Sequence, residues 1–512
     1  MIEFYASGMS PLIAMVVGAM IIAGISFWVS NRVLASISAG FMLVTFALLF
    51  LILGDAIPIG QSFGGVITED AFAVVFQLIF MAVAFLSVLY SVKYVEEDRN
   101  HGEYYSLLML AVVGMMVVSA STDLITMFVG IALTGLSSAS ITAFRKHDKT
   151  GAEAAMKFYI ISALSAGLAL YGISLIYGLT HSLQFSAVSA ALQDLQSTNP
   201  GDFGTAMLAL VLLTAGFGFE IAVVPFHMWA PDVYEGSPTP VSGMLTSGSK
   251  KVGIAAVFKI FMIAMIAYRA EWGPLFAVLA ILTMTVGNVA ALRQDSVKRM
   301  LAYSSIGQAG YMLISLPVFA AAHSAALGAT SPAAAGTYNQ LAYLSISYGI
   351  FQVMTHSLAT VGAFGVVAIM STSVVGMKFD SFRGLFKSNK LLSVSMTLFL
   401  FSLLGMPLLA GFDSKLLIFS AAVGGSLISG YSWLIWLAIF GIVNSAVSLI
   451  YYVRLVRNIY SDSETPAPKY AISRFSAIAI IIAAAAVVVI GVYPGPFITA
   501  CNHAAQALMS EF

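Results

Sequence analysis

The chain has 512 residues, of which 60% are hydrophobic and only 9% charged, with mean hydropathy +0.94 and a formal net charge of zero. A water-soluble protein of this length needs far more charge to cover its surface, so most of this one faces lipid or other buried helices. The single cysteine, Cys501, excludes disulfides within the chain and Cys-ligated clusters, and no basic patch points to nucleic acid.

Strand alternation is absent, and many apolar runs reach about 20 residues, the length that spans roughly 30 Å of hydrocarbon as a helix. The first run begins near Met9 behind Glu3, without a basic leader, and is expected to be a retained span. Segments follow near 9–30, 33–54, 71–95, 104–120, 122–143, 153–179 and 204–233. Others lie near 238–268, 272–292, 296–317, 340–372, 389–422, 431–459 and 474–495. The expectation is an all-α polytopic membrane protein with about 14 transmembrane helices.

The loops alternate in charge. Basic residues from Arg32, Lys93 and Arg145 through Lys146, Lys298, Arg299, Lys387, Arg454 and Lys469 to Arg474 fall on one side. The opposite loops, at 55–70, 180–203, 318–339 and 423–430, carry no Lys or Arg, and Arg269 alone lies on that side. Under the positive-inside rule the basic loops are cytoplasmic and both termini external, in the cell membrane of a prokaryote.

Three long segments are interrupted: by Pro225 in the seventh, by Pro407 in the twelfth, and by Pro238, Pro240 and several glycines at the start of the eighth. Proline removes a backbone donor and frees carbonyls, which membrane proteins tolerate where the break lines a polar cavity or is covered by protein. Broken helices in corresponding halves point to an inverted-repeat transporter.

Few ionisable residues remain deep in the spans: Glu220, Lys250, Lys251, Lys259 and Lys415, with Asp413 beside the last. Each charge at the midplane costs about 2.5–3.5 kcal/mol on insertion scales, so retention of several calls for a reason. Lys259 is placed where it could snorkel, and Lys250 and Lys251, as helix neighbours, point about 100° apart. Glu220 and a lysine either neutralise one another as a packing pair or form a proton relay. His356 shares a helical face with Gln352, near Ser345 and Tyr348. It is either a satisfied core histidine or a link in a hydrated path. His227, close to Pro225, could be structural. No Gly-rich dinucleotide turn, phosphate loop or paired axial histidines suggest a redox centre.

The stretch from Pro225 to Pro240, containing Ala230-Pro231-Asp232-Val233-Tyr234-Glu235-Gly236, resembles the signature of the antiporter-like subunits of respiratory complex I, in its N-type form. Further matches are Glu153-Ala154-Ala155-Met156-Lys157, Gly287-Asn288-Val289-Ala290-Ala291-Leu292-Arg293-Gln294, Lys298-Arg299-Met300-Leu301-Ala302-Tyr303-Ser304-Ser305-Ile306, and Pro407 to Lys415. The resemblance covers roughly residues 70–460. It implies three leading helices within 1–100, two inverted five-helix repeats at 104–268 and 272–460 with broken helices 7 and 12, and a last helix within 461–512.

It also implies proton translocation driven by quinone reduction in a large oxidoreductase, whose electron donor could be NADH, reduced F420 or ferredoxin. Iron–sulfur clusters and the quinone would belong to partner subunits, with other antiporter-like subunits as membrane neighbours. No cofactor is implied in this chain. By resemblance Lys250 is the eighth-helix lysine and Lys415 the twelfth-helix lysine. Ala132 stands where the family usually has a fifth-helix glutamate, and Glu220 where a seventh-helix lysine is usual. The expected relay is therefore Glu220, Lys250, His356 and Lys415, with Glu220 and Lys250 as an altered acid–base pair. The alternative is an Mrp-type or free-standing cation/proton antiporter.

Overall fold

The computed structural model describes residues 8–54, 56–57, 61–145, 147–198, 200–373, 376–462 and 470–510. Lys146, Lys469, Glu3 and the extreme termini lie outside them. The leading helices are α1 (Ser10–Ile25), α2 (Asn31–Leu53) and α3 (Ala71–Tyr94). Then come α4 (His101–Ala120), α5 (Leu124–Thr142), α6 (Lys149–Thr180), α7 (Phe185–Thr198) and α8 (Phe203–Ile221). Short α9 (Trp229–Gly236) and α10 (Thr239–Met244) lead into α11 (Lys250–Lys259). The second half holds α12 (Arg269–Leu292), α13 (Val297–Leu313), α14 (Ser315–Leu327), the long α15 (Pro332–Ser371) and α16 (Leu385–Ser388). It closes with α17 (Lys390–Leu404), α18 (Ala410–Ser426), α19 (Ile435–Tyr460), α20 (Arg474–Val492) and α21 (Gly495–Met509).

The protein is all-α in architecture, and among the described residues the strands amount to one hairpin, Gln61–Ser62 against Ile67–Thr68. Among the described residues, eleven helical spans are long and apolar enough to cross a membrane, α13 and α14 counting together as Val297–Leu327, and α1 and α17 are shorter apolar helices. Helices α3 and α15 are almost wholly enclosed by protein, whereas α2, α6, α19 and α20 turn much of their apolar surface outward. Exposed Leu, Ile and Val on those outer helices suit a lipid solvent, in which apolar surface need not be hidden.

Close helix approach depends on small residues. A Cβ at Gly287 would strike the Gly307 backbone, and one at Gly310 would meet Met284, so α12 and α13 pack backbone to backbone. Asn288 fills the seam: its amide donates to the Tyr311 hydroxyl at 3.3 Å and accepts from the Tyr451 hydroxyl at 2.8 Å. The apolar motif around Gly287 thus has a packing reason.

The ion pairs cluster where basic loops meet. Arg32 and Lys93 hold Glu96, Arg145 holds Asp98, and Arg454 holds Asp295. Lys157 and Arg299 both bind Asp232, and Arg299 also reaches Glu235 at 2.9 Å. Residues from three separate sequence motifs thereby tie α6, α9 and α13 together at one end of the molecule. Glu96 accepts from Lys93 and Arg32, which hold its carboxyl below the ordinary carboxylate range.

Candidate functional site

The two helix breaks are solved differently. After α17, Gly405 and Leu408 take left-handed backbone at φ 94 and 71, and α18 starts afresh at Ala410. This leaves the carbonyls of Leu403 and Leu404 without helical partners inside the protein, and buried carbonyls demand donors. Lys415 supplies them: its Nζ lies 2.8 Å from the Leu403 oxygen, 2.9 Å from the Leu404 oxygen and 3.2 Å from the Ser445 hydroxyl. The Tyr311 ring lies 5.0 Å away. An ammonium at a helix C-terminus also meets the negative end of the helix dipole. Gly411 makes the fold-back possible, since a Cβ there would overlap the Ser402 carbonyl.

After α8 the break needs no cation. Ala222, with φ 56, and Val223 turn their N–H groups back to the Phe219 and Gly218 carbonyls. The Trp229 indole also donates to the Phe219 oxygen at 3.2 Å. Thr283 of α12 accepts from the Val224 N–H at 3.1 Å and pins the break. Glu220 sits in the last turn of α8, 7% exposed, with its Cβ packed against Gly253 of α11.

Lys250 begins α11 at the end of a π-helical segment, Leu245–Ser249, and donates to the Ser305 hydroxyl of α13 at 3.3 Å. A π turn offsets the backbone register and is common where a side chain must be re-aimed at a functional site. Lys251 is also fully buried and reaches α13, contacting the Met312 sulfur at 3.6 Å. Both lysines therefore turn toward one helix, but to positions seven residues apart, two turns along it.

Buried amides stand between these lysines and Lys415, while Ser305 itself donates to the Ala302 carbonyl at 2.7 Å. Gln308 lies one turn beyond Ser305 on α13, and its Nε2 donates to the Leu403 oxygen at 2.9 Å, the same oxygen that accepts from Lys415. Its Oε1 accepts from Gln352 of α15 at 3.0 Å. His356, one turn from Gln352, bonds Thr360 through Nε2 at 3.2 Å, while its Nδ1 is buried without a partner. Thr355 donates to Ser414, next to Lys415, at 3.0 Å.

The structure thus sets Lys250 against Ser305 and Lys415 against the Leu403 carbonyl that Gln308 shares, places His356 one turn from Gln352 with Thr360 as its hydrogen-bond partner, and packs Glu220 against Gly253. No ion pair joins Glu220 to Lys250 among the described residues; Glu220 packs one turn away from it along α11. Lys259 does not snorkel: it is fully buried and donates to the Ser121 carbonyl at 2.8 Å. The sequence reading gave no role in the site to Ser305, Gln308 or the Leu403 carbonyl. The amides had a signal, being polar residues at helical spacing inside apolar segments. The carbonyl had none beyond Pro407.

Residues 121–330 and 335–446 match the family described as NADH:quinone oxidoreductase/Mrp antiporter, TM. The chain is 38% identical over 457 residues to F(420)H(2) dehydrogenase subunit N of Methanosarcina mazei, covering 87% of this chain and 86% of that one. It is 37% identical over 458 residues to NADH-quinone oxidoreductase subunit N of Trichlorobacter lovleyi, covering 88% and 86%. Among solved structures it superposes on a chain of respiratory complex I from Thermus thermophilus with a TM-score of 0.77 and 28% identity, over 96% of this chain and 99% of that one. The chain belongs to the NADH:quinone oxidoreductase/Mrp antiporter membrane family, as an antiporter-like subunit of the N type.

Proposed function

We propose that this chain translocates protons as the N-type membrane subunit of a complex I-like, quinone-reducing oxidoreductase. The observation that carries the proposal is the set of buried polar groups between the two lysines: Ser305, which accepts from Lys250, and one turn along α13 Gln308, which accepts from Gln352 and shares the Leu403 carbonyl with Lys415. Lysine and histidine can take up and release protons, and hydroxyl groups both donate and accept. In this reading Lys250 loads from one aqueous face. A proton then passes by way of His356 and an internal water file to Lys415, which releases it when the charge of a neighbouring subunit changes.

The organisation used is two inverted five-helix repeats, at 104–268 and 272–460, with fourteen spans, both termini external, and a prokaryotic cell membrane as the setting. A broken helix at the corresponding place in each half favours this arrangement. Redox chemistry belongs to partner subunits holding iron–sulfur clusters and the quinone. Glu220 supplies the acid near Lys250, as a proton donor that closes on it during turnover.

The test is Glu220→Gln in the complex reconstituted in vesicles. The expected outcome is a fall in protons moved per quinone reduced. An unchanged ratio removes Glu220 from the relay. Co-migration with quinone-reducing partners in mild detergent supports the oxidoreductase setting, whereas sodium-dependent exchange by the chain alone favours the Mrp-type alternative.

A further inference from the structure

The two central helices are enclosed along most of their length, and the gaps in their cover coincide. From Phe72 to Val92 of α3 every residue is buried except Leu78, Ala82 and Phe85. From Gly349 to Met370 of α15 every residue is buried except Met354 and Leu358. In each helix the uncovered residues stand one turn apart, as a stripe on one face.

Leu78, Ala82, Met354 and Leu358 all line one cavity of about 410 Å³. Phe46 and Phe50 of α2, whose rings stack with centroids 6.4 Å apart, line it too, as do Ala486 and Ile490 of α20 and Phe497 of α21. Helices α2 and α20 both pack on α3, and α20 and α21 both pack on α15, so the cavity is a slot where these five helices meet. Along α3 its lining runs from Val75 to Ala82, seven residues or roughly 10 Å of rise.

Every side chain that lines the slot is apolar, so water finds no partner in it, and a dry void would forfeit the contacts of its walls. The occupant is therefore apolar, and the surroundings say where it comes from. Helices α2 and α20 turn much of their apolar surface outward, with Leu43, Val44, Ile481 and Val492 among the exposed residues, and in a membrane protein such surface meets lipid tails. The slot is continuous with that surface, since Phe50 is 59% exposed and also lines the slot. A helix of a neighbouring subunit is too thick to enter: with side chains it is about 10 Å across, so the volume holds only about one turn.

We infer that this slot binds one acyl chain of a membrane phospholipid, seated beside α2 and α20 against the middle of α3 and α15. Met354 and Leu358 lie two residues to either side of His356, and so on the opposite face of α15 from it. The bound chain thus packs against the back of the helix that carries His356 and leaves its polar face free. The site needs only a chain embedded in lipid, and it stands whether or not protons move through Lys250 and Lys415.

The test uses the assembled complex in vesicles of phosphatidylcholine that carries a diazirine on one acyl chain, with the labelled residues mapped by mass spectrometry after irradiation. Labelling is expected at Leu78, Met354 or Leu358, and most of it should be lost in Ala82→Phe, whose added ring fills the slot. Labelling of the outer residue Ile481 should stay unchanged in that variant. Slot residues left unlabelled in the complex, as a protein segment seated there would leave them, overturn the assignment. Labelling that Ala82→Phe leaves unchanged overturns it as well. Should Ala82→Phe fail to assemble, Ala486→Phe fills the slot from α20 and is read in the same way.

Discussion

At the scale of single residues, Lys415 shows how a buried charge is kept. Its ammonium meets two carbonyls that the helix break has released, so the cost of burial is offset by acceptors that need donors in any case. Each carbonyl also has a second donor: Gln308 for Leu403 and Ser445 for Leu404. Lys415→Met therefore leaves no orphaned carbonyl and is expected to fold, with a thermal midpoint in detergent near that of the parent. Gln308→Leu is the complementary change. It leaves the Lys415 contacts in place but cuts the connection to Gln352, and the expected outcome is a lower ratio of protons moved to quinone reduced in an assembled complex. The positions of Lys250 and Lys415 are legible in the sequence because a charge inside an apolar run stands out. The donors that meet the freed carbonyls are not, because Gln308 and Lys415 reach them from separate helices.

At the scale of elements, the two breaks share a place in their segments but differ in chemistry. The first closes its carbonyls with backbone N–H groups and the Trp229 indole, the second with a lysine. Trp229→Phe keeps the ring packing but removes one neutral hydrogen bond, an expected loss of about 1 kcal/mol, read from thermal unfolding. Gly411→Ala is more damaging, because the added methyl meets the Ser402 carbonyl and must separate α17 from α18. A destabilisation of about 1–3 kcal/mol is expected, together with loss of transport, because Lys415 rides on α18. Pro225 and Pro407 announce both breaks in the sequence. What fills them is set by tertiary packing and is not written locally, and the π turn before Lys250 carries no composition cue at all.

At the scale of the whole molecule, the helical segments follow from hydropathy, since a bilayer imposes length on each span. The close contacts that assemble them depend on pairs distant in sequence, such as Gly287 with Gly307, and emerge only in three dimensions. The basic loops are knit by ion pairs, of which Glu96 with Arg32 and Lys93 is the most accessible to a pH test. Because its folded pKa is depressed, the stabilisation is present above the ordinary carboxylate value of 4.5 and is lost as pH falls through the lower folded value. Glu96→Gln should thus unfold slightly earlier than the parent at neutral pH, by no more than the modest effect of a surface pair, and the difference should vanish in acid below that value.

The direct test of the relay is the number of protons moved per quinone reduced by the Lys415→Met complex in sealed vesicles. A lowered ratio in an intact, quinone-reducing assembly is the result that the polar line from Lys250 to Lys415 requires. A ratio equal to that of the parent would contradict it.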